Sequence, residues 1–371
     1  MIALWGLTRF PMHAQQIANT ISSKDVTSIA SDSKGCFWFG TKHGLDWFNG
    51  TTYLSWKASK DIRDLNSDYI YDLMTDGQGT LWIGTQCGLS VYRNSEMIST
   101  STIFNEPFYK SVDLDESSII TSARHGIVKI RKSDLDGINI FHQKGMSKIR
   151  QFTCTPQKEI WIPYNIDGRL FVKVLDQNLG EKADYDLCGE KDVIAAETSP
   201  DNCVWIVTGN DIFIFDGITG KLLKTPALLQ EIISGSAILF VSKYQSRSML
   251  IGIRDKGFFT YDPYSQSVAR IHPDYTLPEE KYVCGSDPKG NIFLSDGESY
   301  PAYIPVTSYS INYTLPTEGD LLDIGFDKDG NLWYFTGKSI GCYDIRSKRI
   351  LFSTPNSGEE GGFIMSRSGS D

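Results

Sequence analysis

The residues most suited to chemistry recur at one place in a series of short polar turns. His43 and His125 lie at equivalent positions of two turns, and Cys87 holds that position in the turn between them. Imidazole and thiolate groups bind metals or transfer protons, but the pattern specifies no third ligand and no base. We therefore interpret the turns as a polar surface that hydrogen-bonds an anionic or hydroxyl-rich ligand. The candidate binding residues are Lys42, His43, Gln86, Arg124, His125, Asn165, Arg254 and Asp255.

At each single position, an ordinary solvated turn residue remains the alternative interpretation, because surface loops are polar in any protein. Two histidines about two blades apart could also ligate a metal or serve a lyase, and that alternative stays open as well. The arginines favour a carboxylate-bearing or sulfated oligosaccharide as the ligand. The negative charge of the whole chain argues mildly against an anionic ligand, so a neutral glycan remains the alternative.

Other chemistry has little support in the sequence. Asp327, Asp329 and Asn331 have the spacing of a calcium loop, but Gly330 stands in the fourth place and Lys338 stands where a bidentate glutamate is needed. We interpret that segment as a tight turn. The chain has no GxSxG, HExxH, Walker or GxGxxG motif. The sequence therefore predicts no catalytic residue, no metal site and no cofactor.

Composition narrows the class of protein. The 371 residues carry a net charge of −9, which argues against nucleic acid as a partner. Seven separate cysteines predict neither a disulfide framework nor a zinc site. The sequence has no apolar run of the roughly 20 residues that cross a bilayer, so we predict no membrane segment. The 12% aromatic content and 33 glycines favour short strands joined by tight turns.

These turns belong to a repeat with a period of about 42 residues, the length of one four-stranded propeller blade. Residues 32–48 read DSKGCFWFGTKHGLDWF, and residues 76–92 read DGQGTLWIGTQCGLSVY. The aspartate and glycine of each DxxG turn suit a chain reversal, and the tryptophan of the second strand is expected in the core between blades. The tryptophan position is held by Trp38, Trp82, Ile120, Trp161, Trp205, Leu250, Phe293 and Trp333. The pattern predicts an all-β protein, a β-propeller of four-stranded blades.

The pattern DxxGxLWIGTxxGL, nearly complete at residues 76–89 and recognisable at 32–45, resembles the two-component regulator propeller repeat. In that family, such repeats form the periplasmic sensor region of Bacteroides-type hybrid two-component system histidine kinases. The resemblance implies a non-catalytic sensor that binds a glycan or oligosaccharide, with the rest of the receptor and a homodimer partner as its partners. It implies export to the periplasm and signalling to a kinase absent from this chain.

The domain organisation is predicted from the repeat register. Residues 1–16 are expected to be the remnant of a secretory signal, 17–315 a seven-bladed propeller, and 316–371 the first blade and partial next repeat of a truncated second propeller. An eight-bladed ring is the alternative. For function, a propeller-type polysaccharide or antibiotic lyase or hydrolase is the first alternative, and a passive protein-interaction scaffold is the second.

Overall fold

The chain divides into two compact units, Met1–Ser308 and Tyr309–Asp371. The computed structural model describes the residues 15–16, 21–50, 52–59, 61, 64–99, 105–124, 126–142, 149–189, 192–273, 275–299, 301–305, 321–326, 331–336, 338–344 and 349–355. No helix among these residues is long and apolar enough to cross a membrane.

The first unit is built from four-stranded antiparallel sheets, which we number 1 to 7 along the chain. The first strand, β1 (Gln15–Gln16), belongs to the last of them. Sheet 1 has β2 (Val26–Ser31), β3 (Phe37–Thr41), β4 (Gly44–Phe48) and β5 (Tyr53–Trp56). Sheet 2 has β6 (Ile70–Thr75), β7 (Leu81–Thr85), β8 (Gly88–Arg93) and β9 (Glu96–Ser99).

Sheets 3 to 5 repeat this arrangement. Sheet 3 has β10 (Phe108–Asp113), β11 (Ser118–Ala123), β12 (Gly126–Arg131) and β13 (Gly137–Phe141). Sheet 4 has β14 (Thr153–Cys154), β15 (Ile160–Ile166), β16 (Arg169–Leu175) and β17 (Glu181–Asp186). Sheet 5 has β18 (Val193–Thr198), β19 (Cys203–Thr208), β20 (Ile212–Asp216) and β21 (Leu222–Leu223).

A helix that the sequence pattern does not predict, α1 (Ala227–Ile233), follows sheet 5 and buries Leu229 and Ile233. Sheet 6 has β22 (Ile238–Tyr244), β23 (Ser248–Ile253), β24 (Gly257–Asp262) and β25 (Ser267–Ile271). Sheet 7 has β26 (Val283–Ser286), β27 (Ile292–Ser295) and β28 (Ala302–Ile304), with β1 as its outermost strand.

The inner strands of the ring are β2, β6, β10, β14, β18, β22 and β26. Each inner strand contacts the inner strand of the next sheet, and β26 of sheet 7 contacts β2 of sheet 1, so the ring closes. Sheet 7 is completed from both ends of the unit, because β1 pairs with β28 through Gln15–Tyr303 and Gln16–Ala302. The inner edge strands of neighbouring sheets therefore lie against one another, which protects these edges. The predicted all-β architecture of four-stranded propeller blades is confirmed.

The repeated tryptophans form the core between the sheets. Trp82, Trp161 and Trp205 are each 1% exposed. Each packs against apolar side chains of the following sheet, as Trp205 of sheet 5 does against Met249 and Ile251 of sheet 6. The prediction that these tryptophans lie between blades is confirmed.

The DxxG turns reverse the chain through a carboxylate that bonds its own backbone. Asp32 accepts bonds from the backbone N–H groups of Lys34 and Cys36, both at 2.9 Å. Asp76 makes the equivalent bonds in sheet 2. The glycine that ends the turn, Gly79 in sheet 2, has a φ of 81°, which favours glycine.

The second unit contains one four-stranded antiparallel sheet among its described residues. Its strands are β29 (Leu321–Phe326), β30 (Leu332–Thr336), β31 (Ser339–Asp344) and β32 (Arg349–Pro355). Residues 327–330, which hold most of the calcium-like spacing, lie outside the described residues.

Candidate functional site

A cavity of about 420 Å³ lies inside the ring of inner strands. Residues of β2, β6, β10, β18, β22 and β26 line it, together with Arg150 and Gln151 of the segment that leads into β14. A concave site surrounded by several elements is the usual form of a small-molecule pocket. The cavity is therefore the candidate functional site of the first unit.

A bulge near the start of the inner strands determines which side chains face the cavity. The pairing register shifts between Ile70 and Asp72 in β6 and between Phe108 and Lys110 in β10. The extra residues are Tyr71 and Tyr109, and both line the cavity. Bulges commonly redirect side chains in this way next to functional sites.

The two bulge tyrosines are part of an aromatic series. The rings of Tyr69 and Tyr71 have centroids 4.8 Å apart, and those of Tyr71 and Tyr109 are 5.0 Å apart. The Arg150 guanidinium lies over the Tyr109 ring, with Cζ 5.7 Å from the centroid. Burial, followed by the neighbouring tyrosines, raises the pKa of Tyr71. Its hydroxyl is therefore neutral at pH 7 and is available as a hydrogen-bond donor and acceptor.

Charged side chains lie in the same cavity. Asp72 accepts a 2.7 Å hydrogen bond from the backbone N–H of Ser111, and its Oδ1 is 3.9 Å from Nζ of Lys110. Burial raises the pKa of Asp72 and of Glu197. The charged lining residues are Asp72, Lys110, Arg150, Glu197 and Lys243, so cations outnumber anions there by one.

Most of the sequence-predicted binding residues are exposed and lie in the turns after the second strands. Nζ of Lys42 is 3.1 Å from Oδ1 of Asp25, and Nε2 of His43 is 4.0 Å from Oδ2 of the same carboxylate. The structure thus brings Lys42 and His43 together around Asp25. Gln86, Arg124, Asn165 and Asp255 are exposed, and His125 lies outside the described residues. Nη2 of Arg254 is 3.9 Å from Oε1 of Glu280.

These turns adjoin the segments that lead into the inner strands. The backbone N–H of Lys42 donates to the carbonyl of Asp25, which directly precedes β2, at 3.1 Å. The backbone N–H of Gln86 donates to the carbonyl of Tyr69, which directly precedes β6, at 3.0 Å. In sheet 2 the predicted turn is therefore next to the aromatic series of the cavity. The binding role of the turn residues stays a prediction.

Sequence reasoning missed the cavity residues. Tyr71 and Tyr109 both stand at the second position of an inner strand, and this recurrence is the signal that could have found them. The signal is weak, because β2 has Thr27 and β18 has Ile194 at the same position, so the repeat shows no shared residue type there. Among the described residues, no group of three or more histidine, cysteine, aspartate or glutamate side chains could hold a metal ion.

Comparison with known proteins agrees with the repeat. Residues 20–43 and 64–86 match the family described as two component regulator propeller. These two segments match the two-component regulator propeller repeat, which confirms the resemblance predicted from residues 32–45 and 76–89. No curated protein matches the sequence at a significant level.

Solved structures share the fold. The extracellular domain of BT3049 from B. thetaiotaomicron, described as a hybrid two component system, is 16% identical with a TM-score of 0.61, over 91% of this chain and 48% of that one. The extracellular domain of BT4673 from the same organism, described as a one component system, is 16% identical with a TM-score of 0.59, over 91% and 53%. The chain thus spans about half the length of these domains.

A chain of a mitotic checkpoint complex superposes about as well. It is 11% identical with a TM-score of 0.60, and the alignment covers 80% of this chain and 94% of that one. At these identities the structural likeness establishes the propeller fold alone, because one fold hosts many functions.

Proposed function

We propose that the chain is a ligand-sensing propeller of a hybrid two-component receptor, which binds a glycan or oligosaccharide and signals to a kinase outside this chain. The observation that carries the proposal is the two-component regulator propeller repeat at residues 20–43 and 64–86. The fold shared with the extracellular domain of BT3049, described as a hybrid two component system, supports it. On this proposal the chain works in the periplasm and catalyses no reaction.

The proposed division of the chain is a seven-bladed propeller over 17–315 and the first blade of a second propeller over 316–371. The seven sheets of the first unit and the single sheet of the second support this division. Residues 1–16 stay a predicted leader remnant, although Gln15 and Gln16 pair with sheet 7.

Signalling requires a ligand whose affinity differs between two states of the receptor. In the proposed receptor, the two states differ in the packing of neighbouring propellers or of two protomers in a homodimer. A glycan held at the end of the ring where the inner strands begin would favour one packing. The predicted turn residues would line the outer part of that site, and the tyrosines of the cavity would line its inner part.

Isothermal titration calorimetry of the whole chain against a panel of neutral and acidic oligosaccharides tests the glycan proposal. We expect at least one oligosaccharide to bind, and the combined Gln86→Ala and Arg124→Ala substitutions to weaken it. Arg247→Ala is the matched control, because Arg247 is also exposed and pairs with Asp262 in sheet 6. A panel without a single binding oligosaccharide would contradict the proposed glycan sensor.

The same samples separate the alternatives. Chromatography of the oligosaccharides after incubation would reveal cleavage products if the chain were a lyase or hydrolase. The sensor proposal expects the oligosaccharides to be recovered intact.

A further inference from the structure

We propose that the mouth of the cavity is a subsite for a sugar ring that carries a carboxylate, with the tyrosine series holding the ring and Arg150 holding the carboxylate. This inference rests on the proposed glycan function and specifies the class of saccharide. The position of the subsite is set by the start of the inner strands, where Tyr69, Tyr71, Tyr109 and Arg150 lie within one series of ring contacts.

The tyrosines have the surface that a sugar ring requires. Tyr69, Tyr71 and Tyr109 are only partly buried, so ring surface and hydroxyl groups remain accessible. An aromatic ring offers an apolar face to the C–H groups of a pyranose, and its hydroxyl bonds the sugar hydroxyls. The bulges in β6 and β10 supply two of the three rings from successive sheets. Core packing does not require an aromatic residue there, since Thr27 and Ile194 hold equivalent positions.

Arg150 supplies the charge selectivity. Its side chain is exposed and makes no ion pair with any described residue, although the guanidinium lies over Tyr109. A guanidinium that stacks on a ring keeps the N–H groups of its edge free for a two-pronged bond to a carboxylate. The arginine is therefore placed to bond an acid group on a sugar stacked against the neighbouring ring.

The remaining charges of the cavity agree with an anionic ligand. Lys110 and Lys243 are offset by Asp72 and Glu197, which leaves Arg150 as the charge in excess. This local excess is opposite in sign to the net charge of −9 of the whole chain. A site that is cationic inside an acidic protein favours anions over neutral sugars and attracts them locally.

Calorimetry with defined probes tests the subsite on the whole chain. The probes are D-galacturonate and D-glucuronate, with D-galactose and D-glucose as neutral counterparts and acetate as the carboxylate alone. We expect one uronate to bind about tenfold or more tightly than its neutral counterpart and than acetate, because a hydrogen-bonded carboxylate and a stacked ring act together. Equal affinity for the uronate and its counterpart, or for the uronate and acetate, would overturn the assignment.

Variants locate the binding. Arg150→Gln should lose the preference for the uronate, and Tyr71→Ala and Tyr109→Ala should each weaken binding by about tenfold. Arg247→Gln is the matched control, because its guanidinium lies over another exposed ring, Tyr264, with Cζ 5.4 Å from the centroid. Arg150 is exposed, so its replacement tests the idea even if a tyrosine variant folds poorly.

Two results distinguish this inference from the proposed function. Neutral oligosaccharide binding that is lost in the Gln86 and Arg124 variant but kept in Arg150→Gln would overturn the acidic subsite and leave the glycan sensor standing. The absence of binding by every sugar tested would overturn both.

Discussion

Asp76 offers the sharpest test of how the repeat stabilises the ring. Its Oδ1 accepts bonds from the backbone N–H groups of Gln78 at 2.9 Å and Thr80 at 3.0 Å. Its Oδ2 accepts a 2.9 Å bond from Nε1 of Trp82 and is 3.1 Å from Nζ of Lys132. An asparagine can preserve the first pair of bonds through its single carbonyl oxygen. Its amide N–H₂ would then face two other donors, so Asp76→Asn removes the second pair.

The size of the expected loss in stability depends on the interactions of Lys132 that remain after the substitution. Breaking a buried ion pair costs about 3 to 5 kcal/mol, but Lys132 keeps Asp113, whose Oδ1 is 2.8 Å from Nζ. We therefore expect Asp76→Asn to lower the free energy of unfolding by about 2 kcal/mol at neutral pH. Asp32→Asn is the control, because its two bonds to Lys34 and Cys36 both use Oδ1. It should cost under about 0.5 kcal/mol.

The pH dependence adds a second criterion. Burial opposes the charge of Asp76, but bonds from Trp82, Thr80 and Lys132 outweigh it and hold the pKa of Asp76 below its ordinary value. A lowered carboxylate pKa stabilises the fold above the unfolded pKa of about 4 and loses that contribution as the pH falls through the native value. The difference between wild type and Asp76→Asn should therefore shrink below about pH 4.

Urea unfolding followed by tryptophan fluorescence, at pH 7 and again at pH 3, measures both criteria. Equal losses for Asp76→Asn and Asp32→Asn at pH 7 would refute the assigned role of Trp82 and Lys132. A difference that persists unchanged at pH 3 would refute the electrostatic part of the reasoning.

Three further outcomes are expected. Trp205→Ala should cost about 3 to 5 kcal/mol in urea unfolding, since the side chain is 1% exposed between sheets 5 and 6, and an unchanged midpoint would contradict this packing. Gly84→Ala should lower the melting temperature, because its Cβ would lie 2.7 Å from the carbonyl oxygen of Phe108 in the next sheet; a wild-type melt would contradict that close approach. Cys188 is exposed and should react with a thiol reagent in the native protein. Burial raises the pKa of Cys154 and Cys203 to about 12, so both should react only on unfolding, and their labelling at the rate of Cys188 would count against the structure.

The fold could be predicted from the sequence because packing between sheets repeats one environment. Trp82, Trp161 and Trp205 occupy the same place in sheets 2, 4 and 5, so one residue type recurs with the period. The aspartate of the DxxG turn recurs for the same reason, since each turn needs one carboxylate bonded to its own backbone. Helix α1 could not be predicted from the repeat, because it is an insertion between sheets 5 and 6 and has no counterpart in the other repeats.

The candidate site could be predicted only in part. The polar turns were visible, and the structure places Lys42 and His43 beside Asp25. The cavity was not visible, because its lining comes from segments far apart in the sequence, such as Tyr71 and Arg150. Only closure of the ring brings those segments together. The sequence of one repeat does not show which residue of the neighbouring repeat will lie beside its own residue in the cavity.

The repeat thus separates residues that maintain the ring from residues that are free to recognise a ligand. Phe108 is fully buried, and its carbonyl oxygen is closely approached by Gly84, so its position is fixed by the neighbouring sheet. The next residue, Tyr109, is placed by the bulge on the cavity side and carries no such packing constraint. On the proposed subsite, substitution at Tyr109 would change what the cavity binds without disturbing the core between the sheets, whereas substitution at Phe108 disturbs two sheets. On the proposed function, receptors built on this repeat would vary their ligand through the bulge positions while the core between the sheets stays constant.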